Sequence, residues 1–354
     1  MSPDTIPPQT SRPPLIAIAI SFERDNLLER GLGLDHLKEL LVRLTRPLLR
    51  QGISLAYGGN WDEQEGNFTY ELLRLVSAEK AVETEHQMVD GLPGDTAQPP
   101  PTARPSAGRL INHCPWPNYL KITPAIEAQW INCCRIVRVT PAMAKIPDAA
   151  IIPPTQLDLP PDDKNYPVQA FLHQALCLST MREMMIEGIS FPIPDHEPPE
   201  SIPPIDARIV LGGKVEGYRG FIPGIFEEAL LSLEKRRPLY LLGGFGGATE
   251  VLAEALLADP SAALPDALQE VPSPALLKDT DGLLASACLR DTSTLLRALR
   301  EAIHAAQGQL AKALNNGLDE ADNRRLLTTR DMREALGLVH KGLAQLGLMT
   351  TQES

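Results

Sequence analysis

Three short apolar runs in the chain end in a pair of glycines, at Gly58-Gly59, Gly212-Gly213 and Gly243-Gly244. Glycine permits positive φ, and it lets backbone N–H groups come close to a phosphate. Asn60 and Lys214 follow the first two pairs directly, and we assign both to the same site. Packing alone hardly explains three such runs, so we predict a site for a phosphorylated ligand.

Charged side chains that could complete such a site lie in two other stretches. Arg182 stands among methionines near the end of a predicted helix, and an arginine can give two parallel hydrogen bonds to a phosphate. Glu227 and Glu228 lie at the start of another predicted helix, just after Gly224. A carboxylate there can accept hydrogen bonds from ribose hydroxyls. Ser21, which closes another apolar run, is a further candidate for a phosphate or ribose contact.

Each of these side chains also has a simpler interpretation. Arg182 could be a solvated arginine on the surface of its helix, because the sequence around it shows helical periodicity and nothing more specific. Glu227 and Glu228 could stabilise the amino end of their helix through its dipole. Ser21 is equally compatible with an ordinary turn. Periodicity alone leaves these alternatives open.

The elements around the second and third glycine pairs predict how the chain positions the site. Ala207–Leu211 and Pro238–Leu242 are predicted strands, and Pro223-Gly224 mark the start of a helix between them. Such a βαβ unit implies parallel strands and a right-handed crossover. Leu15–Ile20 and Ile53–Tyr57 predict two more buried strands. Ligands of parallel sheets bind beyond the carboxyl ends of the strands, which is where all three glycine pairs fall.

The remaining predicted elements are mostly helices. We expect strands at Arg109–His113 and Arg135–Val139 and a helix over Asp163–Glu187. Another helix should start near Leu34 and bend or end at Pro47. Further helices are predicted from residue 67 or 69 onward and over residues 248–257 and 282–348. The predicted fold class is α/β: a Rossmann-like parallel sheet flanked by helices, with proline-rich inserts and a carboxyl-terminal helical appendage.

A chain of 354 residues is long enough for one main domain or two. We divide it into a disordered arm (residues 1–13), a nucleotide-binding domain (14–258) and a helical carboxyl-terminal region (259–354). The proline-rich inserts, at about 84–161 and 191–204, are interpreted as loops.

The overall composition excludes several classes of protein. The net charge is −12 and there is no basic run, which argues against binding to nucleic acid. The seven histidines and five cysteines show no metal-binding spacing, so we expect neither a metal nor a cofactor. No export signal or membrane span is evident. We therefore expect a cytoplasmic protein whose cysteines are buried and reduced.

The order of these motifs resembles the SLOG superfamily, which joins the Lonely Guy nucleotide hydrolases, the Smf/DprA proteins and nucleotide sensors of prokaryotic antiviral systems. The Lonely Guy pattern has an arginine on a helix, then a strand ending in Gly-Gly, then Gly-Thr-x-x-Glu at a helix start. Arg182, Gly212-Gly213 and Gly224 to Glu228 match those three parts in order. Asn60 after its glycine pair resembles the family's earlier glycine-rich motif. The third pair, followed by Glu250, is a weaker match to the Gly-Gly-x-Gly part of the pattern.

Several positions depart from the Lonely Guy pattern. Leu211 replaces its proline, Ile225 its threonine and Glu183 the basic residue after the arginine, and nine residues (Val215–Pro223) precede Gly224. These losses weaken the case for hydrolysis more than the case for binding. The resemblance therefore implies, first, a sensor or effector for a phosphorylated nucleoside, such as NAD-derived cyclic ADP-ribose.

Two other functions are implied by the same resemblance. One is a nucleoside 5′-monophosphate phosphoribohydrolase of Lonely Guy type, in which Arg182 and Glu228 would be catalytic. The other is a DprA-like DNA-binding protein, which the acidic composition disfavours. A sensor of this kind would act as a homo-oligomer, or through a separate TIR or other effector protein, since no such domain is recognisable in the chain.

Overall fold

A six-stranded parallel sheet forms the centre of the protein in the computed structural model, which describes residues 12–22, 27–28, 31–63, 66–90, 109–153, 156–157, 168–191, 200–269 and 282–350. The strands in chain order are β1 (Leu15–Ser21), β2 (Ser54–Gly58), β3 (Leu110–Pro115), β4 (Cys134–Val139), β5 (Ile189–Phe191), β6 (Glu200–Ile202), β7 (Ala207–Gly212) and β8 (Leu239–Leu242). The order across the sheet is β4-β3-β2-β1-β7-β8, whereas β5 and β6 form a separate antiparallel pair.

Helices cover both faces of this sheet. They are α1 (Leu34–Arg50), α2 (Phe68–Asp90), α3 (Pro124–Trp130), α4 (Val168–Glu187), α5 (Gly224–Glu234), α6 (Gly247–Leu257), α7 (Asp266–Gln269), α8 (Leu283–Ala287), α9 (Thr292–Ala306), α10 (Leu310–Leu314), α11 (Glu320–Thr328) and α12 (Met332–Gln345). Side chains of α1, α2 and α12 share one apolar core with one face of the sheet. Those of α4, α5, α6 and α9 share another core with the opposite face. The predicted fold class is confirmed.

Side-chain size differs between the two faces of the central strands. Along β1, Ile16, Ile18 and Ile20 point toward α1, whereas Ala17 and Ala19 point to the face that carries α4 and α5. On that second face Ala17 pairs with Ala56 of β2. These small residues let α4 and α5 approach the sheet closely and leave room for longer side chains from neighbouring strands.

Several element boundaries differ from those that the sequence predicts. Pro47 lies inside α1, which continues to Arg50. The prediction that the helix could end at Pro47 was therefore wrong. The insert predicted as a loop at 191–204 has strands at both of its ends, because β5 and β6 pair from Ile189↔Ile202 to Phe191↔Glu200. The first insert contains α3, which begins at Pro124 after the capping residue Thr123.

The carboxyl-terminal helices pack directly on the sheet. The Tyr240 hydroxyl of β8 donates to the Asn316 carbonyl oxygen at 2.7 Å, and Asn316 Nδ2 donates to the Leu239 carbonyl oxygen at 2.9 Å. Leu326 and Leu327 on α11 belong to the two different cores, so this helix covers the edge at β8. The division at residue 258 stays a prediction, although these contacts join the two parts closely.

Both ends of the chain extend beyond the described residues. Residues 1–11 of the predicted disordered arm lie outside them, whereas Arg12 is bound to Asp206, with Nη1 and Oδ2 2.8 Å apart. Of the cysteines, four are buried, but Cys288 is exposed, so the expectation of burial was wrong for that residue. A helix apolar and long enough to span a membrane is not found among the described residues.

Candidate functional site

The first two predicted glycine pairs lie on one edge of the sheet, near Ser21. β1 lies between β2 and β7, so Ser21 is brought beside both the Gly58 turn and the Gly212 turn. The Gly213 N–H donates to the Ser21 carbonyl oxygen at 3.1 Å. Gly212 and Gly213 have φ values of +65° and +99°, which strongly favour glycine. The structure therefore assembles the predicted edge from Ser21 and these two turns.

The turn after β7 also holds the amino end of α6. The Gly213 carbonyl oxygen accepts from the Ala248 N–H at 3.0 Å, and the Gly212 carbonyl oxygen accepts from Thr249 Oγ1 at 2.8 Å. A Cβ atom on Gly213 would lie 2.4 Å from Cγ1 of Ile225. Lys214, the next residue, is exposed at the rim of this turn. Its ammonium group could meet an anionic ligand there.

The third glycine pair has a packing role. Cβ atoms on Gly243 and Gly244 would lie 2.3 Å from the Leu327 carbonyl oxygen and 2.0 Å from the Thr329 carbonyl oxygen. Both glycines are buried beneath the carboxyl end of α11. Close backbone approach accounts for glycine at both positions without a ligand, and their assignment to the site stays a prediction.

The loop after β2 is held by its own side chains. Asn60 Oδ1 accepts from the Asp62 N–H at 3.1 Å and from Asn67 Nδ2 at 2.8 Å. Trp61 Nε1 donates to Asn112 Oδ1 at 2.8 Å in the buried interior. Gly59 leaves space for the Tyr57 ring, because a Cβ there would lie 2.2 Å from Cε1. Asn60 therefore shapes the loop, with its amide oxygen already occupied.

Four charged side chains form a row between α4, α5 and β7, which we call the charge row: Glu227, Arg182, Glu228 and Arg208. Glu227 accepts hydrogen bonds from Ser179 and from Arg182 Nη1. Arg182 Nε lies 3.8 Å from Glu228 Oε1, and the other oxygen of Glu228 is bound by Arg208 Nη1. The charges therefore alternate in sign from one end of the row to the other.

Burial makes this row unlike a surface ion-pair network. Arg182 is 6 % exposed, Arg208 0 % and Glu227 3 %. The interpretation of Arg182 as a solvated helix arginine is therefore wrong. Arg208 Nε donates to Ser232 Oγ at 3.2 Å, and burial lowers the pKa of Arg208 although the nearby Glu228 opposes the shift. Because arginine keeps its charge in proteins, the carboxylates must compensate it.

The loop before α5 lies against the guanidinium group of Arg182. A Cβ atom on Gly224 would lie 2.7 Å from Arg182 Nη2, and one on Gly220 would lie 3.2 Å from Nη1. Gly224 therefore matters because it lets the start of α5 pass close to the arginine. Glu183, which follows Arg182, is partly buried, and its burial and the charge of Glu227 raise its pKa.

Two buried residues of the region were not predicted as site residues. Arg208 is the only charged residue of the otherwise apolar, fully buried strand β7, and that composition is the signal that could have revealed it. His113 on β3 pairs with Gly58 and is 0 % exposed, and neither ring nitrogen has a hydrogen-bond partner among the described residues. Burial, and then the charge of Arg208, lower the pKa of His113 to about 3. Within the part of the chain that the structure describes, Arg182 Nε and Arg208 Nη2 also lack a hydrogen-bond partner.

An open groove lies elsewhere, between the end of α1 and α12. It has a volume of about 1040 Å³ and is lined by residues that include Arg50, Gln51, His340 and Lys341. Arg50 immediately precedes the turn into β2, so the groove is at the amino edge of the sheet. It does not contact the charge row, and the chemistry of the glycine turns and arginines indicates the carboxyl edge instead.

Comparison with known proteins gives one family. The model of SLOG cluster2 matches residues 11–193 and 200–326, which include all eight strands and every predicted site residue. No protein of curated function matches the chain in sequence. The matched segments cover well over half of the chain, which confirms the resemblance drawn from the motifs, and the protein belongs to the SLOG cluster2 family.

Proposed function

We propose that this protein binds a small phosphorylated nucleoside at the carboxyl edge of its sheet and acts as a sensor or effector. Membership of SLOG cluster2 indicates a nucleotide-related function. The finer proposal rests on one observation: Arg182 lies beside Glu227 and Glu228, and the loop that contains Gly224 packs against its guanidinium group. A phosphorylated NAD-derived nucleotide such as cyclic ADP-ribose is the ligand class that we favour.

The energetics of buried charges support a binding role for this cluster. Buried ion pairs are often no more stable than apolar side chains of the same size, so stability alone does not require them. By contrast, a ligand phosphate that replaced one of the carboxylates would accept hydrogen bonds from the same guanidinium N–H groups, in the geometry that they already have. The Gly212-Gly213 turn beside them offers an exposed cation at Lys214.

Pairing of the carboxylates favours binding over hydrolysis. A glycosidase-like reaction needs a carboxylate that stabilises a developing positive charge. Here Glu227 is paired with Arg182 and Glu228 with Arg208, so each negative charge already has a partner. Ile225, which replaces the pattern's threonine, packs against Gly213 and offers no hydroxyl.

Hydrolysis of an N-glycosidic bond is the second candidate. Glu228 is the most accessible carboxylate of the charge row, with 13 % of its side chain exposed against 3 % for Glu227. A substrate that entered at the carboxyl edge of the sheet would therefore meet Glu228 before Glu227.

Homo-oligomerisation, a separate effector protein and a cytoplasmic location remain part of the proposal for the sensor.

The direct test is thermal unfolding with AMP, NAD, ADP-ribose and cyclic ADP-ribose. Ligand at 100 times its Kd should stabilise the protein by roughly 2.7 kcal/mol. The double variant Arg182→Met/Glu227→Gln removes both charges of one pair together and should lose most of this stabilisation. Arg43→Met breaks an exposed ion pair with Glu39 on α1, which packs on the opposite face of the sheet from α4 and α5, and should keep it. No shift with any of the four nucleotides would refute the proposal.

Release of free base from the same nucleotides distinguishes the two candidates. A sensor should release none, and Glu228→Gln should weaken its binding, since an amide keeps only one acceptor oxygen. Steady-state base release by the wild type, lost in a Glu228→Gln variant that still binds, would instead establish the hydrolase.

A further inference from the structure

Arg208 is a buried cation for which the proposed function gives no role so far. It is the second residue of β7, pairs with Ala17 of β1 in the sheet register and is fully buried. Its guanidinium group binds Glu228 and Ser232 on α5, while Nη2 has no hydrogen-bond partner in the described ranges of the chain. Because Arg208 is fully buried and bound to Glu228 and Ser232, it supplies a fixed positive charge inside the protein, next to the proposed site.

The charge row sets an electrostatic condition for any phosphate that binds to Arg182. The two glutamates and two arginines sum to zero charge, so a phosphate meets a neutral row. Without Arg208 the row would carry a net negative charge. Arg182 Nε lies 3.8 Å from Glu228 Oε1, so a phosphate on Arg182 would be close to that carboxylate. Two like unit charges about 6 Å apart repel enough to change affinity by about 100-fold at an effective dielectric constant of ~20.

We infer that Arg208 is a positioning residue that compensates Glu228 and so lets Arg182 accept the phosphate of a nucleotide. The small side chains of Ala17 and Ala56, which pair with each other on the next two strands, leave room for the long arginine on this face. The inference rests on the proposed function, because it needs a phosphate at Arg182. It adds a second arginine, on a different element, to the residues that decide whether the site takes an anion.

A structural role for Arg208 predicts a different outcome from a role in phosphate binding. Loss of a buried ion-pair partner destabilises the fold and should weaken every ligand alike. Loss of charge compensation should weaken phosphorylated ligands only. AMP and adenosine differ by the phosphate alone, so the ratio of their affinities isolates the effect.

The experiment measures the affinities of AMP and adenosine by calorimetry for wild type, Arg208→Met, Arg208→Lys and Arg208→Met/Glu228→Gln. In Arg208→Met we expect the preference for AMP over adenosine to fall by a factor of about 10 to 100. In Arg208→Lys, which keeps the charge, it should fall by less than about threefold. In the double variant it should return close to the wild-type value, because the row is neutral again.

Two controls keep the test decisive. Ser232→Ala removes the hydrogen bond to Arg208 Nε without any change of charge, and its preference for AMP should stay within about twofold. If Arg208→Met does not fold, the comparison of Glu228→Gln with the double variant decides the question, because the two differ only in the charge of residue 208. Glu228→Gln should prefer AMP over adenosine about 10- to 100-fold more strongly than the double variant. Equal preferences in these two variants, or a lost preference for AMP in Arg208→Lys, would overturn the inference.

The outcomes also separate this inference from the proposed function. A wild type that binds none of AMP, NAD, ADP-ribose or cyclic ADP-ribose would remove the proposed function, and the role of Arg208 with it. A wild type that binds AMP, together with an Arg208→Met variant that loses AMP and adenosine equally, would overturn the role of Arg208 alone.

Discussion

Arg182 illustrates at the scale of one residue how much burial changes an interpretation. Its neighbours in sequence are compatible with a solvated helix position, and helical periodicity alone does not distinguish that position from a ligand contact. In the fold it is 6 % exposed, bound to Glu227 and covered by the loop at Gly224. A charge in that position needs partners, and those partners come from an element about 45 residues further along the chain.

His113 provides a pH-dependent test of the buried polar face. Its pKa is about 3 in the fold against 6.5 for an exposed histidine, so between these values only the unfolded chain binds the proton. The stability that neutral His113 contributes is complete above pH 6.5 and is lost as the pH falls toward 3. Between pH 6.5 and 4 the loss should reach up to about 3 kcal/mol.

Urea unfolding of wild type and His113→Gln at several pH values measures this contribution. His340 and the carboxyl groups of Glu127 and Asp291 also have lowered pKa values, so the wild type will lose additional stability in acid. The difference in slope between the two proteins isolates His113. Equal slopes from pH 6.5 to 4 would show that His113 takes up its proton in the folded state as readily as in the unfolded chain.

At the scale of elements, the three glycine turns look alike in sequence but perform different tasks. The Gly212-Gly213 turn needs positive φ, whereas Gly243 and Gly244 need space for the backbone at the end of α11. The difference arises because α11 comes from a distant part of the chain. No local sequence pattern around β8 predicts that α11 packs on this turn.

Gly244→Ala should therefore destabilise the protein strongly. The new Cβ would lie 2.0 Å from the Thr329 carbonyl oxygen, which belongs to backbone and cannot move aside alone. We expect a cost of about 1–3 kcal/mol or more in the free energy of unfolding, measured by urea denaturation.

A matched control is Gly337→Ala on α12. That glycine is exposed in a helix, and an added Cβ meets nothing within 4 Å. The substitution should stabilise the helix by about 0.5–1 kcal/mol. If both variants shift stability in the same direction, the packing role assigned to Gly244 is wrong.

At the scale of the whole molecule, the carboxyl-terminal helices share both apolar cores of the sheet. α9 packs with α5 and α6, and α11 covers β8 at the edge of the sheet. Asn316 binds the backbone of β8 and the side chain of Asn323, with no exposed surface of its own. The two regions should therefore unfold together.

Scanning calorimetry should show one unfolding transition for the full chain. Asn316→Ala leaves the Leu239 carbonyl without its donor and should cost about 1–3 kcal/mol, lowering the temperature of that single transition. Two resolved transitions, of which Asn316→Ala shifts only the one at lower temperature, would instead support an independent helical region.

The sequence by itself determined the parallel sheet, the edge where the glycine turns lie and the family. These features follow from local patterns: apolar runs closed by glycine, helical periodicity between them, and motif order from Arg182 to Glu228. The same local patterns predicted β7 and α5. They also placed Gly224 at the start of α5, where the structure has it.

Only the tertiary structure decided which charges meet. The pairing of Glu228 with Arg208, the burial of His113 and the packing of Gly243 and Gly244 under α11 all depend on elements far apart in the chain. Side-chain periodicity gives the face of a strand but not the identity of the helix above it. The physical reason is that the energy of a buried charge depends on its partners, and packing across the whole chain chooses those partners.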